Sequence, residues 1–226
     1  MDGLYVRVIR AALIGTVVFF AVIFLPAGTL EYWQGWVFFG TFAGLSSLTT
    51  VYLARYDKPL LERRLRAGPT AEKTSAQKII TAVGGLVFVG SLVVSILDHR
   101  FGWSPAVPAW LSLLGDAFGG LGFLIYFLVI RANRYAAATV EVAKGQTVVA
   151  TGPYAILRHP MYAGALLMLV WTPLALGSWW GLLSAPLFVG WFVWRLVDEE
   201  QVLRAHLPGY PAYTRRVRYR LVPYIW

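Results

Sequence analysis

Long runs without formal charge restrict this chain more than any other feature. Residues 11–30, 32–54 and 79–97 contain no Asp, Glu, Lys or Arg, and residues 109–130 contain only Asp116. About 20 apolar residues in a helix cross a bilayer core, where every backbone polar group has to be satisfied within the segment. Each run therefore reads as a transmembrane helix. From His159 to Trp194 there is no formal charge over 36 positions, nearly two crossings, with Pro173, Gly177, Ser178, Gly181 and Pro186 as punctuation. That stretch reads as a hairpin of two short helices. The expected fold is all-α: a polytopic helical membrane protein with about six transmembrane helices, or five if the last pair is re-entrant, ending in a C-terminal helical hairpin. With 58% hydrophobic and 14% charged residues, a water-soluble domain is excluded. The absence of cysteine excludes a disulfide scaffold and a thiolate metal site, and His99, His159 and His206 lack ligand spacing, so no metal is expected. Arg7 and Arg10 precede the first run as in a signal peptide. That run is too long and lacks a small-x-small site, so the helix is expected to be retained.

Charge sets the expected orientation. Of 20 Lys and Arg, 19 fall in alternate segments, and Arg100 stands alone on the other side. Basic residues stay cytoplasmic, which places both termini and the two long polar connections there. The net charge of +9 is then a membrane-surface feature suited to lipid headgroups, and no nucleic-acid partner is expected, because the basic residues bracket helices. The chain reads as one membrane domain over 1–226, with an N-terminal four-helix part (1–130) and a C-terminal part (131–226). Oligomeric state is left open.

The connection from Arg55 to Lys78 reads as a solvated surface helix and loop. In the second connection, Arg131 to Pro160, Val140, Val142, Val148 and Val149 alternate with small or polar residues around Lys144, Gly145 and Gln146, which suggests extended backbone. Unpaired backbone groups near a membrane call for a polar occupant, and a bound cofactor would serve. Pro160 suits the first turn of a helix whose free N–H groups can hold a carboxylate or phosphate, with Arg158 and His159 at its entrance; a basic pair reaching lipid phosphates is the alternative. Arg195 and Glu199, four apart, can pair on a helix, leaving Asp198 and Glu200 to point elsewhere; a solvated ion pair is the plainer reading. Leu203 and Leu207 carry that helix to Pro208-Gly209, after which Tyr210 and Tyr213 share a face. Arg215 to Arg220, with Tyr219, Tyr224 and Trp226, reads as a headgroup anchor.

Gly152-Pro153-Tyr154, then Arg158-His159-Pro160-Met161-Tyr162-x-Gly164, then Arg195-x-x-x-Glu199-Glu200-x-x-Leu203, then Gly209-Tyr210-x-x-Tyr213 and Val217-Arg218 onward to Pro223 form one ordered pattern. It resembles the isoprenylcysteine carboxyl methyltransferase family over about the last 90 residues; the N-terminal half is similar to bacterial members only in its span layout. Membrane methyltransferases of phospholipid nitrogen and the C-terminal parts of sterol reductases look similar in this region too. The resemblance implies a multi-pass enzyme, of the bacterial inner membrane by its layout, that takes a methyl group from S-adenosylmethionine bound in a cytoplasmic pocket, and it makes residues 131–226 the cofactor-binding and catalytic part. The methyl acceptor would be a carboxylate on a lipid-like molecule such as a prenylated cysteine. By position it assigns cofactor contacts to Gln146, Thr147, Val148, Val149, Tyr154, His159, Pro160, Met161, Tyr162 and Glu199, and makes Arg195 the group that orients the acceptor carboxylate. Glu199 and Arg195 are thus the catalytic candidates, and Glu200 is expected to lie behind them.

Gly119-Gly120-x-Gly122 lies inside an apolar run, so it reads as a helix-packing face rather than a dinucleotide loop, and Gly40-x-x-x-Gly44 is read the same way. Three competing functions are a phospholipid or amine N-methyltransferase, an NADPH-dependent sterol-type reductase, and a transporter. The last calls for a midplane charge, for which Asp116 is the candidate, although it is expected nearer an interface.

Overall fold

In the computed structural model, residues 3–226 are described and form helices with no strand among them. The order is α1 (Gly3–Ala27), α2 (Trp33–Tyr56), α3 (Lys58–Leu65), α4 (Ser75–Phe101), α5 (Ala109–Ala132), α6 (Pro160–Ala175), α7 (Ala185–His206) and α8 (Tyr210–Arg216). Five helical segments are long and apolar enough to cross a membrane: α1, α2, α4, α5 and Trp180–His206. The sixth apolar helix, α6, has 16 residues and spans about 24 Å, short of a ~30 Å hydrocarbon core.

The hairpin is therefore unequal, where two short helices were expected. Its first limb ends just after Pro173, and the chain reverses through Gly177, whose φ of +77° favours glycine. A 3-10 turn at Trp180–Ser184 then leads into α7, so the second limb runs the full 27 residues. Polar contacts pin the reversal. The Tyr32 hydroxyl donates to the Leu176 carbonyl at 2.6 Å, and the Asp98 carboxylate accepts from Ser178 Oγ (2.6 Å), Ser104 Oγ (2.8 Å) and the N–H groups of Ser104 and Trp180. Arg100 lies at this same end, donating to the Pro26 carbonyl at 2.8 Å.

The tightest seam joins α5 to α6, and small residues create it. A Cβ on Gly122 would lie 2.5 Å from the Gly164 carbonyl oxygen, and one on Gly115 would lie 2.6 Å from the Ala175 nitrogen. The broader glycine reading is corrected: Gly40, Gly44, Gly119 and Gly120 meet open space, so Gly122 alone of those five makes a close approach.

The first long connection forms the expected helix and loop but is more buried than a solvated connector. Leu60 and Leu61 of α3 are buried with Val8, Leu53 and Ile130, and Glu72 is only 3% exposed, so the segment is anchored into the bundle at these points while Lys58, Arg66 and Lys73 stay exposed. Asp57 caps α3 by accepting from the Leu60 N–H, and Arg7 pairs with Glu62 at 2.7 Å, which closes the end of the bundle that carries most of the basic residues. Residues 133–151 form no strand; they run irregularly beside the cavity described next.

Candidate functional site

At this basic end lies a cavity of about 330 Å³, within the range that holds small cofactors. Of the residues singled out in the sequence, Gln146, Thr147, Val148, Val149, Tyr154, His159, Met161, Tyr162, Arg195 and Glu199 all line it. Pro160 does not. It is buried at the first position of α6, where its fixed φ and missing N–H set the start of the helix behind the wall.

The wall is assembled by the C-terminal tail as well as by helices. His159 and Arg158 are placed by N–H donation to the carbonyls of Arg220 (3.0 Å) and Tyr219 (2.9 Å). Arg158 also donates to the carbonyls of Val217 (2.7 Å) and Thr214 (2.8 Å) and to Glu200 (3.2 Å). The imidazole of His159 stacks on the Tyr162 ring, centroids 5.6 Å apart and planes 5° from parallel.

Two adjacent carboxylates have opposite surroundings. Glu200 is buried among Arg158, His159, Arg204 and Arg220, with Arg220 contributing two contacts of 3.2 Å. Glu199 forms no ion pair with a guanidinium among the described residues: it accepts from the Tyr162 hydroxyl, which separates it from Arg195, and lies 4.0 Å from His159 Nδ1. The expected Arg195–Glu199 pair does not form. Arg195 turns the other way, because Glu72 offers a fully buried carboxylate 2.9 Å from Nη2.

All five N–H groups of Arg195 are consumed. Nε donates to the Tyr162 hydroxyl (3.1 Å), Nη1 to Gln77 Oε1 (2.8 Å) and Thr81 Oγ1 (2.9 Å), and Nη2 to Glu72 and to the Ala138 carbonyl (3.2 Å). Glu72 in turn accepts from Thr81 and from the Val140 N–H, and Gln77 donates to Asp198. A buried guanidinium surrounded in this way is a structural hub, and an acceptor carboxylate would have to displace a protein partner to reach it.

Several wall residues are not among the site residues assigned from the sequence. Tyr210 and Tyr213 of α8 line the cavity; the Tyr213 hydroxyl donates to the Tyr154 carbonyl at 2.8 Å, whereas the buried Tyr210 hydroxyl has no partner. Thr147, which is exposed, and the half-buried Val148 and Val149 donate to no backbone carbonyl among the described residues. Burial pushes the Tyr154 phenol up to about 12 and raises Tyr210 and Tyr213 further, so all three are neutral at physiological pH. Arg64, Thr81 and Trp191 complete this wall from α3, α4 and α7.

Beside the cavity runs an apolar groove of about 550 Å³ between α1, α2, α5 and α6, lined by residues such as Ala12, Phe42, Leu53, Phe123 and Leu169. Arg64, Met161, Tyr162 and Trp191 belong to both spaces. Asp116 lies elsewhere, buried and unpartnered near Thr41 and Thr172.

Residues 110–208, which run from α5 to the end of α7, match the family model of phospholipid methyltransferase. The chain is also 33% identical over 95 residues to the Delta(14)-sterol reductase TM7SF2 of Mus musculus, a match covering 39% of this chain and 22% of that protein. The chain thus spans under a quarter of the curated relative.

Proposed function

We propose that this protein is an integral membrane methyltransferase that holds S-adenosylmethionine in the 330 Å³ cavity and methylates a lipid-like molecule lying in the neighbouring groove. The observation that carries this reading is the meeting of a polar, aromatic-walled cavity with an apolar groove at Met161, Tyr162 and Trp191. A water-soluble cofactor and a membrane-borne acceptor need such adjoining compartments. The similarity of residues 110–208 to phospholipid methyltransferase supports it.

The wall suits that cofactor. Glu199, a carboxylate in no ion pair with a guanidinium, is free to hold an ammonium group. The orphaned Tyr210 hydroxyl and the N–H groups of residues 147–149, which donate to no backbone carbonyl, offer donors for a carboxylate or ribose. Tyr154 and Tyr162 provide aromatic faces for a sulfonium. When bound, S-adenosylmethionine supplies a methyl group activated by positive sulfur, and displacement from it needs alignment more than acid or base help. Arg195 contributes by position: it fixes the Tyr162 hydroxyl, which fixes Glu199, while the stacked His159 holds the Tyr162 ring. The surrounding apolar side chains exclude water from a reaction that neutralises charge. The acceptor we favour is a carboxylate, such as that of a prenylated cysteine; a phospholipid amine is the alternative.

A sterol-type reductase using NADPH is the second reading, motivated by the match to the mouse enzyme. Equilibrium binding of S-adenosylmethionine, S-adenosylhomocysteine and NADPH to the detergent-purified protein separates the two. Saturable binding of the methyl-cycle ligands, lost in His159→Ala and Glu199→Ala, is expected. Binding of NADPH alone would replace the methyltransferase reading with the reductase.

A further inference from the structure

Arg195 has no donor left, yet another guanidinium lies where the two compartments meet. Arg64, on α3, is the only charged residue among those lining both the cavity and the groove. It is half-buried, and no carboxylate pairs with it among the described residues. Its one carbonyl partner is Ala136, which accepts from Nη1 at 2.6 Å, and its guanidinium lies over the Tyr126 ring, 4.8 Å from the centroid. Other buried charges here are neutralised: Arg195 by Glu72, and Arg158 by Glu200. Arg64, half-buried and without a carboxylate, keeps guanidinium N–H groups available at this border, and their planar fork suits an anionic oxygen group.

We infer that Arg64 anchors the head of the acceptor, and that this acceptor is an amphiphile with a carboxylate or phosphate at its head and an apolar chain in the groove. The inference rests on the proposed methyl transfer for its use but not for its geometry. The chain seats against residues such as Leu53, Phe123 and Leu169, and the anionic oxygens meet Arg64 beside Met161 and Tyr162, at the border of the cofactor cavity. Tyr126 braces the guanidinium from below and limits its swing. Arg64 is thus the residue that selects an anionic head over a neutral one, and Arg195 is a positioning residue behind the cofactor.

The test is equilibrium binding of radiolabelled dodecanoate, dodecyl phosphate and neutral dodecanol to the full chain in maltoside detergent, for the wild type, Arg64→Ala and Arg64→Lys. Both anionic probes should bind the wild type at least tenfold more tightly than dodecanol. Arg64→Ala should erase that preference while leaving dodecanol unchanged, and Arg64→Lys should restore part of it. Whichever anion binds more tightly identifies a carboxylate or phosphate source. A wild type that does not distinguish anionic from neutral probes overturns the inference, as does an Arg64→Ala protein that keeps the preference. Parallel titration with S-adenosylhomocysteine reports on folding of the variants and keeps the questions apart. Loss of that ligand in the wild type would sink the methyltransferase reading alone, whereas its retention without anion preference would sink only the role of Arg64.

Discussion

The cavity has two walls with different origins. One comes from α5 to α7, within residues 110–208, where the similarity to phospholipid methyltransferase lies. The other comes from α3 to α4, where Arg64 and Thr81 line the cavity and Glu72 and Gln77 stand behind them, holding Arg195. In the first wall the functional side chains sit at helix ends at fixed spacing, as with His159 ahead of Pro160. In the second, Glu72 finds its partner 123 residues away. Local geometry organises the first wall, whereas the second exists only once the bundle has closed, and Arg195 is the point at which they are tied.

That tie gives the largest expected effect. Arg195→Ala strands the fully buried Glu72 carboxylate, and breaking a buried pair from one side costs about 3–5 kcal/mol. The unfolding midpoint in detergent should fall steeply. The double variant Glu72→Gln with Arg195→Met, which removes both charges together, should recover much of the loss. An Arg195→Ala protein as stable as the wild type would mean that the walls are joined by other contacts.

The adjacent pair Glu199 and Glu200 sharpens the comparison within one wall. Glu199→Gln should weaken S-adenosylmethionine binding by the ~1.5–3 kcal/mol of a hydrogen bond to a charged group, with little change in unfolding. Glu200→Gln should do the reverse, because Glu200 holds Arg158 and Arg220 and with them the C-terminal tail. Titration and thermal unfolding of both variants check this, and equal losses of affinity at equal stability would erase the distinction.

The sequence was informative where physical constraints are local. Uncharged length marked the spans, and Pro160 marked the start of α6. The Arg195 to Glu200 cluster marked a polar site, yet its i to i+4 spacing suggested the wrong partner for Arg195. Spacing says which side chains share a helix face, but it does not reveal a competing carboxylate from another element. A Glu in a polar connector has the same local surroundings whether it meets water or a buried guanidinium, so Glu72 gave no signal. The 36-position apolar run showed that the chain reverses. It did not show that the 3-10 turn at Trp180 would make the second limb full length, since that depends on Ser178 meeting Asp98.

The seam that supports the first wall allows a smaller test. Gly122→Ala drives a methyl group into the Gly164 carbonyl at 2.5 Å, and overpacking of this kind costs about 1–3 kcal/mol. Gly119→Ala, three residues earlier on the same helix, meets open space and should leave the unfolding midpoint unchanged. Equal behaviour of the two would show that α5 and α6 can separate to admit the methyl group.

The smallest effect belongs to Tyr210, outside the matched segment. Its hydroxyl is buried without a partner, so Tyr210→Phe removes a group whose burial is unfavourable and should leave the protein as stable as before or slightly more so. If that hydroxyl completes its hydrogen bond with the cofactor, the same variant should bind S-adenosylmethionine less tightly by about 1 kcal/mol, roughly a fivefold rise in Kd. Stability and affinity then move in opposite directions, a pattern that loss of packing cannot produce. Unchanged affinity would restrict the ligand contacts to the wall formed by Glu199 and residues 146–162, and leave α8 as a support for Tyr154 through Tyr213.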